Sequence, residues 1–330
     1  MSDSSRAVRF SAFGEPADVL TIGDVPTPSP GPGEVLLRMR ARPVNPSDLS
    51  MVRGRYGQLP ELPATPGLEG VGEVEALGEG VTTVPVGARV VPLGVAGTWA
   101  ERVCAPAAAV VPVPDGVGDE AAAQLVVNPL SAWVLLTEEL DVQPGDWLAQ
   151  SAAGSTLGRV VLQIARARGV RTINLVRRAG QVEELRALGA DEVVVGDGEA
   201  AVARIREITG GEGVAKAIDA VGGAVGATLA ASLAPRGTLI AYGRLSQEAM
   251  PLDTGLQIFR GTTVRGFWLT RWFQESPPEH VAATIATVLG RIADGAIDPP
   301  VEARYDLADV SAAVAHAERP GRSGKVLLTG

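Results

Sequence analysis

DWLAQSAAGSTLGRVVLQIARARGVRTINLVRR, from Asp146 to Arg178, decides how the chain is read. Asp146–Gln150 is a short apolar run, and Ser151–Gly158 is a turn of small residues. From Arg159 to Arg168, Val160, Val161, Ile164 and Ala165 recur at helical spacing, and Gly169 ends that helix. Thr172–Val176 is a second β-branched run. Strand, tight turn, helix, strand is the unit that receives dinucleotides. A helix start offers unpaired N–H groups and the positive end of a dipole, so a pyrophosphate sits there if no side chain blocks it.

The G-x-G-x-x-G pattern is not met. Aligned on Gly158, its first two glycines are Ala153 and Ser155. Taken alone, the turn fits any strand-to-helix connection, but its residues are small enough for phosphates to approach the backbone. The second strand ends in Arg177 and Arg178, where an NAD site carries an acidic residue. Two guanidiniums suit a 2′-phosphate and hence NADPH. The plain alternative is a pair of solvated arginines.

Outward from this stretch, 330 residues are too many for one typical core and imply two domains. Hydrophobic residues make up 46% and charged ones 20%, the balance of a globular chain. No apolar run reaches the length of a membrane span. MSDSSRAVRF has no signal-peptide core, and its Asp3 argues against a transit peptide. The single Cys104 excludes an intrachain disulfide and fits a reducing cytoplasm. A net charge of −9 argues against nucleic acid as a partner.

Residues 1 to about 120 are rich in Pro and Gly between β-like runs at Arg6–Phe10, Glu34–Arg42, Gly70–Leu77, Arg89–Pro92, Ala100–Val103 and Val110–Val113. They predict a compact, mainly antiparallel domain. Asp119–Thr137 reads as helix with Asp119 as N-cap, interrupted at Asn128-Pro129. From Val142 onward, strands alternate with helices, as in a parallel sheet covered on both faces. A helix over Ala224–Leu233 is expected to stop at Pro235. The tail offers helices at His280–Ala293 and Ala308–His316 and a strand at Lys325–Thr329, which needs the first domain's sheet to join.

This order of β domain, dinucleotide domain and returning tail resembles the medium-chain dehydrogenase/reductase superfamily, in its zinc-free 2-enoyl thioester reductase branch. The carrying residues are Asn45-Pro46-Ser47-Asp48, RYGQLPELPATPGLEGVGEV at 55–74, Gly97-Thr98-Trp99, Val127-Asn128-Pro129, RTINLVR at 171–177 and GFWLTRW at 266–272. YGxLPELPA and GFWLxxW are the branch-specific parts. The resemblance implies an α/β chain: a GroES-like, mainly antiparallel domain over residues 1–122 and 269–330, and a Rossmann doubly wound parallel-sheet domain over 123–268. One departure stands out. The branch has a second arginine two residues after the first, where this chain has Ala179.

A catalytic zinc needs three protein ligands. Zinc-dependent relatives carry a His-Glu pair where this chain has Leu68-Glu69, and the only histidines are His280 and His316, on late helices. No metal is expected. Tyr56, in the loop Gly54-Arg55-Tyr56-Gly57, is the candidate to polarise a substrate. From residues alone it is equally a tyrosine packed on a turn, but its position matches the branch's catalytic tyrosine. Asn45 and Asn128, each before a proline, either pin turns or, by the resemblance, belong to the cofactor site. The resemblance also implies cofactor contacts at Gly154, Ser155, Thr156, Leu157, Gly158, Arg177, Arg178, Tyr242, Gly243, Arg244, Leu245, Phe267, Trp268, Leu269 and Lys325. Phe267, Trp268 and Trp272 equally fit a hydrophobic interface. Arg38, Arg40, Arg42, Arg53 and Arg55 either meet phosphates of CoA or acyl carrier protein or are solvated strand ends.

The implied activity is NADPH-dependent reduction of the C2=C3 bond of an enoyl-CoA or enoyl-acyl-carrier-protein thioester, in fatty acid metabolism. Hydride goes to Cβ, a proton goes to Cα, and Tyr56 is the donor. An NADPH quinone or enone reductase is the alternative, and a non-catalytic nucleotide-binding protein a third. A homodimer through the strand at Thr263–Phe267 is the family expectation.

Overall fold

The computed structural model describes residues 4–330; Asp3, which bears on the transit-peptide expectation, lies outside them. The chain divides into two units, one taking it up to Asn128 with Ala286–Gly295 and Pro299–Gly330, the other Pro129–Ile285 with Ala296–Asp298.

The first unit begins with an antiparallel pair, β1 (Ser4–Arg9) and β2 (Thr21–Pro26). Its main sheet uses β3 (Glu34–Pro43), β4 (Val71–Leu77), β5 (Arg89–Pro92), β6 (Arg102–Pro106) and β7 (Val110–Pro112). On β3 the inward side chains Val35, Leu37 and Met39 are buried with Val74, Val90 and Ala105, as alternation on a half-covered sheet requires.

In the second unit, β8 (Trp147–Gln150), β9 (Arg171–Val176), β10 (Glu192–Val195), β11 (Val214–Asp219), β12 (Leu233–Ala241) and β13 (Thr263–Gly266) form a sheet in the order β10-β9-β8-β11-β12-β13, every neighbouring pair parallel. Ala149, Ile173, Leu175, Ala217 and Leu239 are buried from consecutive strands. Helices connect these strands, which places β8 and β11 at the point where the strand order reverses. The last two strands return to the first unit. There β14 (Val301–Asp306) runs parallel to β15 (Lys325–Thr329), and β15 pairs antiparallel with β3. Among the described residues the order is β14-β15-β3-β4-β5-β7, with β6 also on β3.

Several expectations are corrected. Gly118, not Asp119, is the N-cap of the helix Asp119–Ala123; the Asp119 carboxylate instead takes Arg40 at 2.7 Å and Arg89 at 2.8 Å. The interruption expected at Asn128-Pro129 is seen: Pro129 lies in a wide π-type turn, Val126–Leu130, between two short helices. Pro235 does not stop a helix. It lies inside β12, where Arg236 takes φ +63° and the register with β11 shifts, the irregularity that tolerates a proline. Residues 269–285, expected with the tail, group with the parallel sheet. Glu138 there accepts from Trp272 Nε1 at 2.8 Å and Thr284 Oγ1 at 3.3 Å, and lies 3.0 Å from His280 Nε2. Among the described residues, no helix is long and apolar enough to cross a membrane.

Candidate active site

In the parallel unit, the turn after β8 enters the twelve-residue helix Thr156–Ala167, earlier than the apolar spacing showed. Ser155 is its N-cap, and its Oγ accepts from Gly158 N at 3.1 Å. Gly158 is required by close approach: a Cβ there would stand 2.5 Å from the Ala153 carbonyl oxygen. The left-handed residue of the turn is Ala152, with φ +48°, one position before Ala153, which stands in place of the first glycine. Arg159, buried behind the turn, donates from Nε to the Gly154 carbonyl at 3.1 Å and pairs with Glu184 at 2.6 Å. Thr156 and Leu157 are buried in the helix's first turn.

Arg177 and Arg178 are exposed beyond β9, and among the described residues neither has a carboxylate partner. Tyr242, Gly243, Arg244 and Leu245 follow β12. The Asp219 carbonyl accepts from Tyr242 N at 2.9 Å and Gly243 N at 3.3 Å, and the Ala220 carbonyl from Leu245 N at 3.0 Å. The Tyr242 hydroxyl is buried without a hydrogen-bond partner, and burial raises its pKa. Phe267, Trp268 and Leu269 are half-buried after β13, with Trp268 at the N-cap of the helix Leu269–Glu275. These elements are the ends of β8, β9, β11, β12 and β13, where parallel sheets bind ligands. The helix start, the glycine contact and two guanidiniums without carboxylate partners fit a dinucleotide carrying an extra phosphate.

In the first unit, Tyr56 is half-buried just after the helix Pro46–Val52. Its approach is fixed by Gly54, at φ +69°, where a Cβ would meet the Phe13 ring at 3.1 Å, and by Arg55 N donating to the Ser50 carbonyl at 2.8 Å. Asn45 and Lys325, 280 residues apart in sequence, are both buried and joined: Lys325 Nζ donates to Asn45 Oδ1 at 2.6 Å. Asn45 Nδ2 donates to Glu69 Oε1 at 2.8 Å, and Asn45 N to Asp48 Oδ2 at 2.8 Å. Glu69 Oε2 accepts from Val126 N at 3.0 Å and Val127 N at 2.9 Å, directly before Asn128. Burial pushes Asp48 up to about 7, raises Glu69 and pulls Lys325 down to about 8.

The structure thus joins Asn45 to Lys325 and links both to the Asn128 turn through Glu69, which sequence reasoning treated only as the remnant of a zinc pair. The S/N-P-x-D start of the helix Pro46–Val52 was the available signal for Asp48; nothing local marks Glu69. Four of the five clustered arginines are engaged within the protein, while Arg55 is exposed with no carboxylate partner among the described residues. Arg42 is fully buried, with its guanidinium donating to the Thr98, Ala100, Met39 and Gly330 carbonyls. Arg38 and Arg40 pair with Glu73, and Arg53 with Glu15 and Glu318, so acidic neighbours neutralise them. Among the described residues, no three His, Cys, Asp or Glu side chains stand together as a metal site.

The chain matches two family models, the alcohol dehydrogenase GroES-like domain over residues 31–115 and the zinc-binding dehydrogenase domain over 156–287. It is 33% identical over 329 residues to the human mitochondrial enoyl-[acyl-carrier-protein] reductase, covering 98% of this chain and 88% of the relative. A solved structure described as an NADPH:quinone reductase from Bacillus thuringiensis superposes with a TM-score of 0.93 at 36% identity, covering 99% of each chain. The complex of Etr1p with NADP and crotonyl-CoA superposes with a TM-score of 0.89 at 25% identity, covering 99% of each. Likeness of this extent to enoyl and quinone reductases alike, over both units and not just the nucleotide-binding one, makes the chain a member of the zinc-free medium-chain dehydrogenase/reductase family.

Proposed function

We propose that the chain reduces the C2=C3 bond of 2-enoyl thioesters with NADPH. What supports this is an NADP-type cradle in the parallel unit, at Gly154–Gly158 and Arg177-Arg178, and, in the first unit, a tyrosine at position 56 on a loop set by Gly54. Bound NADPH supplies the hydride that adds to Cβ. Arg177 and Arg178 hold the 2′-phosphate, and the helix start at Ser155–Gly158 faces the pyrophosphate. Tyr242–Leu245, Phe267–Leu269, Asn45, Asn128 and Lys325 complete the cofactor contacts. Negative charge builds on the thioester oxygen, and the Tyr56 O–H donates to that oxygen or gives its proton to Cα. A positioned donor of this kind contributes roughly 10²–10⁴ in rate.

Quinone or enone reduction is the second reading, supported by the names of similar solved structures. Following NADPH consumption with crotonyl-CoA and with benzoquinone separates the two. Thioester turnover is expected, and Tyr56→Phe is expected to lower it about 100-fold. Undiminished turnover in that variant removes Tyr56 from the chemistry; turnover of the quinone alone favours the second reading.

A homodimer through the edge strand β13 belongs to the same reading. That strand pairs on one side only, and the neighbouring helix Thr254–Arg260 exposes Ile258 at 72% and Phe259 at 87%, an apolar patch of the kind interfaces cover. Light scattering is expected to give twice the chain mass, falling to one chain mass in Phe259→Asp. A wild-type monomer refutes the dimer.

A further inference from the structure

Four polar side chains of the first unit, Asn45, Asp48, Glu69 and Lys325, lie almost fully out of solvent. Two are carboxylates and one is a cation. Asp48 Oδ1 has no hydrogen-bond partner among the described residues. Burying such groups costs several kcal/mol per ion, and an apolar replacement of equal volume is often as stable or more so. Stability alone therefore gives no reason for the cluster.

Its geometry points to what it holds. Both Val126 and Val127 donate their backbone N–H to one oxygen of Glu69. These amides begin the π-type turn Val126–Leu130, whose next residue but one, Pro129, has no N–H to contribute. Without the carboxylate, two buried amides lose their acceptor and nothing else in the cluster ties down this turn. Glu69 is itself immobilised by Asn45 Nδ2, and Asn45 by Lys325 Nζ and, through its backbone N–H, by Asp48. The first side chain after the two anchored amides is Asn128. It is 7% exposed, yet its Nδ2 has no acceptor among the described residues. A buried amide donor left without an acceptor is destabilising, a cost relieved by an acceptor that arrives with a ligand.

We propose that Glu69 is a positioning residue: it fixes the backbone at Val126-Val127 so that the Asn128 amide is held in advance to donate to bound NADPH. The inference rests on the cofactor reading above and extends it to Glu69, which lies outside the cofactor contacts named there. Asn45 and Lys325 keep the Glu69 carboxylate aimed at the turn.

A double-mutant cycle tests this, reading the NADPH dissociation constant by fluorescence titration with no substrate present. Asn128→Ala is expected to raise the constant about tenfold, the loss of one hydrogen bond to a charged or strongly polar acceptor. Glu69→Gln keeps the side-chain volume but surrenders an acceptor oxygen, and is expected to raise it by a similar factor. In the Asn128→Ala background, Glu69→Gln is expected to add no more than about twofold. Should Glu69→Gln not fold, Glu69→Asp enters the same cycle, since it keeps the carboxylate but withdraws it from the Val126 and Val127 amides. A Glu69→Gln effect as large with Asn128 absent as with it present overturns the inference, as does a variant whose melting temperature falls while its NADPH affinity stays unchanged. Wild-type protein that fails to bind NADPH overturns the cofactor reading, and this inference with it; additive effects on intact binding overturn this inference alone.

Discussion

Each unit buries a carboxylate that accepts two backbone N–H groups, Asp219 in one and Glu69 in the other, and the two are built differently. In the parallel unit, Asp219 takes Ser151 Oγ at 2.6 Å and Val221 N at 3.0 Å on one oxygen, and Gly222 N at 2.7 Å on the other. All its donors are neutral and lie at the ends of adjacent strands β8 and β11. In the first unit, Glu69 also accepts three hydrogen bonds, but a second carboxylate and a lysine are buried in the same cluster. Asp219 shows that neutral donors suffice to satisfy a buried carboxyl group. The additional ionisable groups around Glu69 are therefore not needed for solvation. What they add is a tie between residues 45, 69, 126 and 325, of which only 45 and 325 stand at paired strand ends, those of β3 and β15.

The sharpest way to break this contrast is Asp219→Ala. It strands the Ser151 hydroxyl and two amides in the interior, and is expected to cost about 3 kcal/mol, read as a lower urea midpoint. A change under about 1 kcal/mol means that the loop relaxes, and that Asp219 is no anchor. A smaller effect sharpens the other side. Burial holds the folded-state pKa of Asp48 near 7, above its unfolded value. The folded chain keeps a proton that the unfolded chain loses, so this group's contribution falls as pH rises from the ordinary carboxylate range through about 7. Lys325, depressed to about 8, acts only above that window. Asp48→Asn removes the Asp48 decline, and the variant is expected to gain about 1–2 kcal/mol on wild type between pH 4.5 and pH 7.5. Parallel stability curves over that window refute a proton on Asp48.

The parallel unit was the more legible of the two because its signals are local. Val160, Val161 and Ile164 gave the helix after β8, and the strand runs at 172–176 and 263–267 lie within a residue or two of β9 and β13. The helix start was hidden, since Ser155, Thr156 and Gly158 are small residues with no apolar period. β2 and β14 went unread: their burial patterns are irregular and their partners lie elsewhere in the chain. Candidate residues in short motifs, such as Arg177 or Tyr56, stood out by residue type and by resemblance. Glu69, Asp48 and Arg42 did not, because a buried charge is recognised by its partners, and those come from up to about 290 positions away.

The seating of β15 between β14 and β3 has a consequence for synthesis on the ribosome. β3 emerges some 280 residues before the strand that completes its flank. At about 5–20 residues per second, that leaves its edge open for tens of seconds, while the parallel sheet, whose strands all fall between residues 147 and 266, has its whole complement. The later-finished sheet is thus the segment a nascent chain must keep from pairing with its neighbours on a polysome.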